Sequence, residues 1–302
     1  MSTSQAAHNI FSVSSLPRNQ YVSSPPILDA DGIFRSTSAV IHRNDEYDQQ
    51  GFEILQRMQD KHFWYRGRHR FLLASLDRHT RMEARPLSAV DLGGGAGGWV
   101  RYLSERRSQR FSTLALADSS ENALIMAKGA LPANIAMHQI DIMNLHWEDC
   151  WDVAFLLDVI EHLPDDAEAL MQAAKGLKAG GYLFITAPAI QRFWNYNDEL
   201  VSHLRRYNRQ DLKSLSERTG LQLCDARYFM FFLSPLYWLT RRAKNITDLN
   251  QTQKQQLLHQ SHKVPMGPIN AALFALFAAE STIGQRLQFP WGTSILGVFR
   301  KV

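Results

Sequence analysis

The chain has 302 residues, of which 45% are hydrophobic, enough for one large domain or for one domain with an appendage. Its formal net charge of +4 is small for this length, which disfavours a dedicated nucleic-acid binder. The only cysteines, Cys150 and Cys224, predict neither a disulfide framework nor a cysteine zinc site, and they fit a reducing cytoplasm. No apolar run reaches the roughly 18 to 20 residues of a membrane-spanning helix.

The N-terminal part of the chain divides near residue 44. Residues 1–44 are rich in Ser, Pro, Asn and Thr without a hydrophobic period, which predicts a segment that is mostly disordered or loosely attached. Over residues 45–80 the apolar side chains recur at three- and four-residue spacing, which predicts two helices with a break near Asp60.

Short apolar strands then alternate with helices. The predicted strands cover residues 87–92, 112–118, 135–141, 151–158, 182–188, 221–229 and 293–301. The predicted helices cover residues 97–107, 120–130, 165–181 and 208–220. This order predicts an α/β fold with a doubly wound, Rossmann-like, seven-stranded, mostly parallel sheet over residues 45–302, with a helical insertion at 232–290 before the last strand.

The stretch DLGGGAGGW (91–99) joins the first of these strands to the next helix, where backbone N–H groups can approach a ligand. Gly93, Gly95 and Gly98 fit a dinucleotide-binding turn, whereas Asp91, Gly93, Gly95 and Gly97 fit a turn that binds S-adenosylmethionine. Asp91 favours the second, because its carboxylate would repel a pyrophosphate and attract an ammonium or a sulfonium. A tight turn without a ligand is the alternative.

Acidic residues lie at the carboxyl ends of the next three strands or directly after them. Asp118 ends the second strand, where a carboxylate can accept hydrogen bonds from ribose hydroxyls, and Asp141 follows the third in a position suited to adenine. The fourth strand ends in LLDVIEHLP, so Asp158, Glu161 and His162 are predicted to face the crevice at the carboxyl ends of the strands.

Four blocks, AVDLGGGAGGW, LALADSS, HQIDIMNL and WDVAFLLDVIEHLPD, together resemble the class I S-adenosylmethionine-dependent methyltransferases, near the ubiquinone-biosynthesis-type branch. The flanks HFWYRGRHRFLL, HLRRYNRQDLKSLSERTG and FPWGTSILGVFRK resemble a bacterial subgroup that often accompanies glycan or secondary-metabolite biosynthesis. The resemblance implies S-adenosylmethionine as the cofactor. The residues that it implies are Asp91, Gly93, Gly95 and Gly97 for the methionine part, Asp118 with its neighbour Ser119 for ribose, Asp141 and Ile142 for adenine, and Asp158 for the reacting centre.

Two flanking stretches add candidates. In HFWYRGRHR, Arg68 is predicted to meet the methionine carboxylate and Tyr65 to face the acceptor; aromatic packing with solvated arginines, or single-stranded nucleic-acid binding, is the alternative. The stretch WNYNDELVSHLRRY (194–207) is predicted to overhang the acceptor, with Asn197, Arg206 and Tyr207 as contacts. A solvated helix start is the alternative there.

The predicted chemistry is methyl transfer to a small-molecule or glycan acceptor, with oxygen slightly favoured over nitrogen or carbon. A hydroxyl acceptor needs a general base, for which His162 is the first choice and His203 the second. No metal is predicted, although Asp158, Glu161, His162, Asp165 and Asp166 lie close together in the chain. The pattern of metal-dependent O-methyltransferases is not recognisable among them, and Asp165 and Asp166 suit a helix N-terminus. A nicotinamide-dependent oxidoreductase and a non-catalytic S-adenosylmethionine-binding partner protein are the alternatives.

The insertion at 232–290 contains two apolar runs beside basic residues, namely Arg241, Arg242, Lys244 and Arg286. Burial in the core, a cover over the acceptor pocket, a homodimer interface and contact with an anionic membrane surface are all open. A pocket cover with some dimer contact is favoured.

Overall fold

The computed structural model describes residues 25–41, 49–240, 249, 250, 253, 256, 257 and 263–302. Within them, one sheet contains β1 (Ile27–Leu28), β2 (Ile33–Arg35), β3 (Leu87–Leu92), β4 (Phe111–Asp118), β5 (Ala136–Gln139), β6 (Trp151–Leu157), β7 (Leu177–Pro188), β8 (Gln222–Phe229) and β9 (Ser294–Arg300). The strand order is β1-β2-β5-β4-β3-β6-β7-β9-β8. The strands from β2 to β7 in this order are parallel, while β1 and β9 run antiparallel to their neighbours. The predicted doubly wound α/β fold is confirmed, with two strands more than the predicted seven.

The helices of the described residues are α1 (Gln49–Lys61), α2 (Phe63–His79), α3 (Gly98–Arg107), α4 (Glu121–Lys128), α5 (Asp166–Gly176), α6 (Tyr196–Leu200), α7 (Arg209–Thr219), α8 (Ser234–Thr240) and α9 (Gly267–Gly284). They cover both faces of the sheet. Side chains alternate between the two faces along each strand, so neighbouring residues of one strand pack against helices on opposite faces. In β3, Val90 belongs to a core cluster with side chains of α5 and α7. Its neighbour Ala89 belongs to a second cluster with side chains of α2, α3, α4 and α9.

The position of β3 determines where a ligand can bind. Chain connections leave β3 towards β4 on one side and return to β6 on the other, so the strand order reverses between these strands. Open α/β sheets bind ligands in the crevice that forms at the carboxyl ends of the strands at such a point.

The structure corrects three boundary predictions. Part of segment 1–44 is ordered, because Ile33 and Phe34 of β2 are buried and β2 pairs in parallel with β5. The helix break predicted near Asp60 lies at His62, two residues further along the chain. The helix predicted to run to residue 181 ends at Gly176, since the following residues already belong to β7, whose Leu177 pairs with Trp151.

The insertion contributes α8 and α9 to the described structure. Helix α9 packs against α2: Asn270 Oδ1 accepts a 2.9 Å hydrogen bond from Phe63 N, and the buried Phe277 ring lies directly on Gly67. Arg241, Arg242 and Lys244 lie outside the described residues, and Arg286 is exposed. Across the part of the chain that is described, no helix is both long enough and apolar enough to span a bilayer.

Candidate active site

A cavity of about 440 Å³ opens at the carboxyl ends of β3, β4 and β6. Most of the predicted site residues line it: Tyr65, Arg68, Asp91, Gly93, Gly95, Asp118, Ser119, Asp141, Ile142, Asp158, His162, Asn197, His203 and Arg206. Residues separated by more than a hundred positions in the chain therefore share one concave surface, as a ligand site requires.

The glycine turn forms one wall of the cavity. Gly93 and Gly95 have φ angles of 71° and 55°, a backbone conformation that glycine adopts without strain. A Cβ atom at Gly93 would also lie 2.9 Å from Val159 Cγ2. The Asp118 carboxylate orients the turn, since Oδ2 accepts a 2.8 Å hydrogen bond from Gly95 N and Oδ1 accepts one of 2.8 Å from Ser120 N.

Asp91 presents a buried carboxyl group to the cavity. It is 2% exposed, and its Oδ1 has no hydrogen-bond partner among the described residues. Burial raises the pKa of Asp91 to about 7, although the nearby Arg68 charge lowers it. A cationic ligand group at Oδ1 would supply the missing partner, so Asp91 fits the ammonium of a bound methionine moiety.

Arg68 reaches the cavity from α2 and makes a close ion pair with Asp158. The Trp64 and Tyr65 rings lie against its guanidinium, with their centroids 4.9 and 5.1 Å from Cζ. Arg68 Nε has no hydrogen-bond partner among the described residues. Asp158 has a φ of 58°, an unusual conformation for a residue other than glycine that is often found at functional sites. Contact between Arg68 and a methionine carboxylate stays a prediction.

Asp141 and Ile142 lie beyond β5 and are both buried in the cavity wall. Asp141 caps a short 3₁₀ helix, because its Oδ1 accepts a 3.0 Å hydrogen bond from Met143 N. Both residues thus belong to the wall of the cavity, and their contact with an adenine stays a prediction.

Three side chains that can bind a metal ion meet in the lining of the cavity: Glu161, His162 and His203, here named the Glu-His-His cluster. The His162 and His203 rings pack edge to face with centroids 4.8 Å apart. His203 Nδ1 lies 2.9 Å from Asp198 Oδ1, and His203 Nε2 lies 3.8 Å from Glu161 Oε1. Burial and the neighbouring His203 lower the pKa of His162 to about 3, so His162 is neutral and a weak general base at pH 7.

Arg206 and Asp198 form a buried ion pair behind the cluster. Arg206 Nε and Nη2 donate hydrogen bonds of 2.9 and 2.8 Å to the two Asp198 oxygens. Arg206 also donates to Ala189 O and to the Tyr237 hydroxyl, at 3.1 Å each. This geometry holds Asp198, and through it His203, in a fixed orientation.

Of the predicted site residues, Gly97 and Tyr207 are not among the residues that line the cavity. Gly97 caps α3 with a φ of 75°. The Tyr207 ring is buried, and its hydroxyl donates to Asp166 Oδ2 at 3.0 Å. Tyr207 therefore anchors the segment before α7, and the prediction that it contacts the acceptor is not supported by its position.

Comparison with known proteins decides the family. A family model described as "Methyltransferase domain" matches residues 58–226, which is more than half of the chain. The chain belongs to this methyltransferase family. The prediction of a class I S-adenosylmethionine-dependent methyltransferase, with S-adenosylmethionine as its cofactor, is confirmed at this level.

Curated relatives match the methyltransferase over part of their length. Trans-aconitate 2-methyltransferase of Methylobacterium nodulans is 32% identical over 105 residues, covering 35% of this chain and 40% of that protein. Ubiquinone biosynthesis O-methyltransferase of Nitrosospira multiformis is 25% identical over 119 residues, covering 38% and 47%. The matches thus span less than half of these relatives.

Solved structures confirm the fold over most of the chain. Phosphoethanolamine N-methyltransferase 2 of Haemonchus contortus superposes with a TM-score of 0.54 at 16% identity, covering 87% of this chain and 60% of that one. A chain from the complex between the Haloferax volcanii Trm112 methyltransferase activator and a methyltransferase superposes with a TM-score of 0.55 at 14% identity, covering 86% and 99%.

Several residues that line the cavity of the methyltransferase were missed as site candidates by the sequence analysis, among them Gln59, Trp99, Met230, Tyr237, Thr293 and Ser294. Gln59 could have been suspected, because it lies in the predicted lid helices; its Oε1 accepts a 3.1 Å hydrogen bond from Gly98 N. The residues after β8 and before β9 carry no motif. Only the antiparallel pairing of β9 with β7 and β8 brings them to the cavity.

Proposed function

We propose that this methyltransferase transfers the methyl group of S-adenosylmethionine to a small-molecule or glycan acceptor, at an oxygen atom. One observation carries the proposal: a single cavity contains both the acidic residues at the carboxyl ends of β3, β4 and β5 and the Glu-His-His cluster. Cofactor and acceptor groups could therefore be held side by side, and alignment of two reactants can supply roughly 7–11 kcal/mol of the barrier.

The cofactor half of the proposal rests on charge and shape. Asp91 would accept from the ammonium, Asp118 from the ribose hydroxyls, and Asp141 with Ile142 would border the adenine. The bound cofactor supplies an activated methyl group on a sulfonium. The buried carboxyl of Asp91 fits the positive charge of the ammonium, whereas a dinucleotide pyrophosphate would be repelled by the ionised carboxylate.

The acceptor half of the proposal rests on a second set of groups in the same cavity. Tyr65, Asn197 and the Glu-His-His cluster are among the residues that line it. His203 is the better candidate for handling the acceptor proton, because the Asp198 contact fixes its ring and directs Nε2 towards the cluster. Arg206 already has four hydrogen bonds to protein groups, so we assign it to positioning rather than to acceptor binding.

The names of the relatives support an oxygen acceptor, since trans-aconitate 2-methyltransferase and ubiquinone biosynthesis O-methyltransferases are among them. A carboxylate acceptor would need no general base, whereas a hydroxyl acceptor would.

A cytoplasmic location of the protein belongs to the same proposal.

We also propose a homodimer contact through α8. Leu236, Trp238 and Leu239 are exposed on this helix, and Phe232 and Trp291 are exposed as well. Contiguous exposed apolar side chains often mark an interaction surface. Contact of the same surface with an anionic membrane is the alternative.

The experiment that tests the proposed function uses isotopically labelled methyl groups. Purified protein is incubated with methyl-labelled S-adenosylmethionine and fractionated small-molecule extract, and labelled products are identified by mass spectrometry. We expect a product with the label on oxygen. Label on nitrogen or carbon would overturn the oxygen assignment, and no labelled product from any fraction, despite cofactor binding, would overturn the transferase proposal.

A further inference from the structure

The Glu-His-His cluster has the composition and spacing of a metal site. Its three ligand atoms, one carboxylate oxygen and two imidazole nitrogens, lie within 4.8 Å of one another. An ion bonded to nitrogen and oxygen at about 2.0–2.2 Å can bridge two atoms up to about 4.2 Å apart, so the 3.8 Å between His203 Nε2 and Glu161 Oε1 is within reach. The third ligand atom lies within 4.8 Å of the other two, so it would have to move closer by less than about 1 Å to share the ion.

We propose that Glu161, His162 and His203 bind a divalent transition-metal ion, such as Zn²⁺ or Mn²⁺, at the acceptor end of the cavity. Neutral imidazoles together with a carboxylate suit these ions. Three protein ligands leave at least one coordination position open towards the cavity, as in catalytic rather than structural metal sites.

The surroundings of the cluster support the proposal independently of its composition. Metal-binding histidines usually donate their second ring N–H to a carboxylate, which fixes the ring and its tautomer. Asp198 offers this contact to His203 Nδ1 at 2.9 Å, and Arg206 fixes Asp198 with two hydrogen bonds.

The charge of Glu161 also favours a cation at this place. The Glu161 side chain is fully buried, and an ionised carboxylate away from water requires a nearby positive charge. A divalent ion would neutralise Glu161 and use both imidazoles.

The sequence prediction of no metal weighed only residues that lie close together after the fourth predicted strand. Asp158 pairs with Arg68, Asp165 caps α5, and Asp166 accepts from the Tyr207 hydroxyl. The ligand that completes the cluster, His203, is about forty positions further along the chain and was not among them.

The role of the ion in catalysis rests on the proposed function, but an ion bound to His203 Nε2 would take the place of His203 as the general base. A metal-bound acceptor hydroxyl would lose its proton to water more readily, because the cation lowers the pKa of the hydroxyl. Its oxygen would then form a bond to the methyl carbon as the carbon–sulfur bond breaks. The electron pair of that bond stays on sulfur, which releases S-adenosylhomocysteine. The ion would change no oxidation state.

Metal binding can be measured without knowing the acceptor. Protein stripped with EDTA and then dialysed is titrated by calorimetry with Zn²⁺ and with Mn²⁺, and Co²⁺-loaded protein is examined for visible d–d absorption. We expect one ion per chain, and at least about tenfold weaker binding in His203→Ala and Glu161→Gln. His79→Gln, at the far end of α2, is the matched control and should bind the ion like the wild type.

The S-adenosylhomocysteine affinity of each variant shows whether it is folded. If the wild type binds no ion, or if His203→Ala and Glu161→Gln retain both cofactor and ion binding unchanged, the metal site is wrong. Methyl transfer that is insensitive to EDTA would overturn the catalytic role while leaving the proposed function intact. An ion-binding protein that transfers no methyl group would overturn the proposed function while leaving the metal site intact.

Discussion

Asp91 is held where ionisation is unfavourable in the absence of a cationic ligand. The residue lies at the start of the glycine turn, with Arg68 as the nearest positive charge and Asp118 as a further negative one. The pKa of Asp91 is therefore raised from 3.8 to about 7. Because its pKa is raised, Asp91 binds its proton more tightly in the folded protein than in the unfolded chain. The free energy of unfolding therefore falls as the pH rises from about 4 through 7.

The variant Asp91→Asn tests this account. The amide cannot ionise, so the variant should not lose stability between pH 5 and 8 through this group, whereas the wild type should. Urea unfolding at both pH values measures the difference.

If only the ionised carboxylate binds the ammonium, S-adenosylmethionine affinity of the wild type should rise about tenfold from pH 6 to 8, and the variant should bind weakly at both. An equal pH dependence in the two proteins would contradict the role of Asp91.

At the scale of the elements, strands with a continuous apolar run could be predicted from the sequence. A strand that is buried only by a long-range contact could not. The strands β3, β4 and β6 were predicted because continuous apolar runs indicate burial on both faces. Strand β2 was missed because Ile33 and Phe34 stand alone in a polar segment, and only pairing with β5 buries them. The start of β7 was missed because Gly180 and Gly181 resemble a helix stop, although residues 177–181 continue into the strand.

The packing of α9 on α2 makes Gly67 sensitive to substitution. Helix propensity alone predicts that Gly67→Ala stabilises α2 by about 1 kcal/mol. The structure predicts the opposite, because a Cβ atom there would overlap the Phe277 ring, and overpacking costs about 1–3 kcal/mol. Chemical denaturation measures the free energy of unfolding. Gly267→Ala on α9 is the control, since its Cβ would meet no atom within 4 Å. A more stable Gly67→Ala protein would show that α9 does not pack there.

Helix α8 carries the proposed contact with a second copy of the chain. Leu236 is 48% exposed, so Leu236→Asp should change the free energy of unfolding by no more than about 0.5 kcal/mol while weakening a dimer. Light scattering measures the mass in solution. Ile125→Asp on α4, at an equally exposed position of 47%, should leave the mass unchanged. A monomeric wild type, or a Leu236→Asp variant that dimerises normally, would contradict the contact. Wild-type protein that sediments with anionic vesicles would favour the membrane alternative.

At the scale of the whole molecule, the sheet assembles the site from distant parts of the chain. The carboxyl ends of parallel strands meet at one edge, so the positions of Asp91, Asp118 and Asp141 at the cavity could be predicted from the sequence. The meeting of His203 with Glu161 could not, because it depends on the path of the segment between β7 and α7. That path is fixed by buried contacts of Tyr207 and Arg206 rather than by any local pattern.

The central claim is that this cavity binds S-adenosylmethionine, and calorimetric titration with S-adenosylhomocysteine tests it most directly. We expect one binding site per chain, with a dissociation constant in the micromolar range, corresponding to about −8 kcal/mol. Asp118→Ala should weaken binding by about 1–3 kcal/mol, because it removes a ribose contact and the carboxylate that orients Gly95. Asp31→Ala, an exposed position, is the control. Wild-type affinity in Asp118→Ala, or tighter binding of NADH than of S-adenosylhomocysteine, would contradict the account.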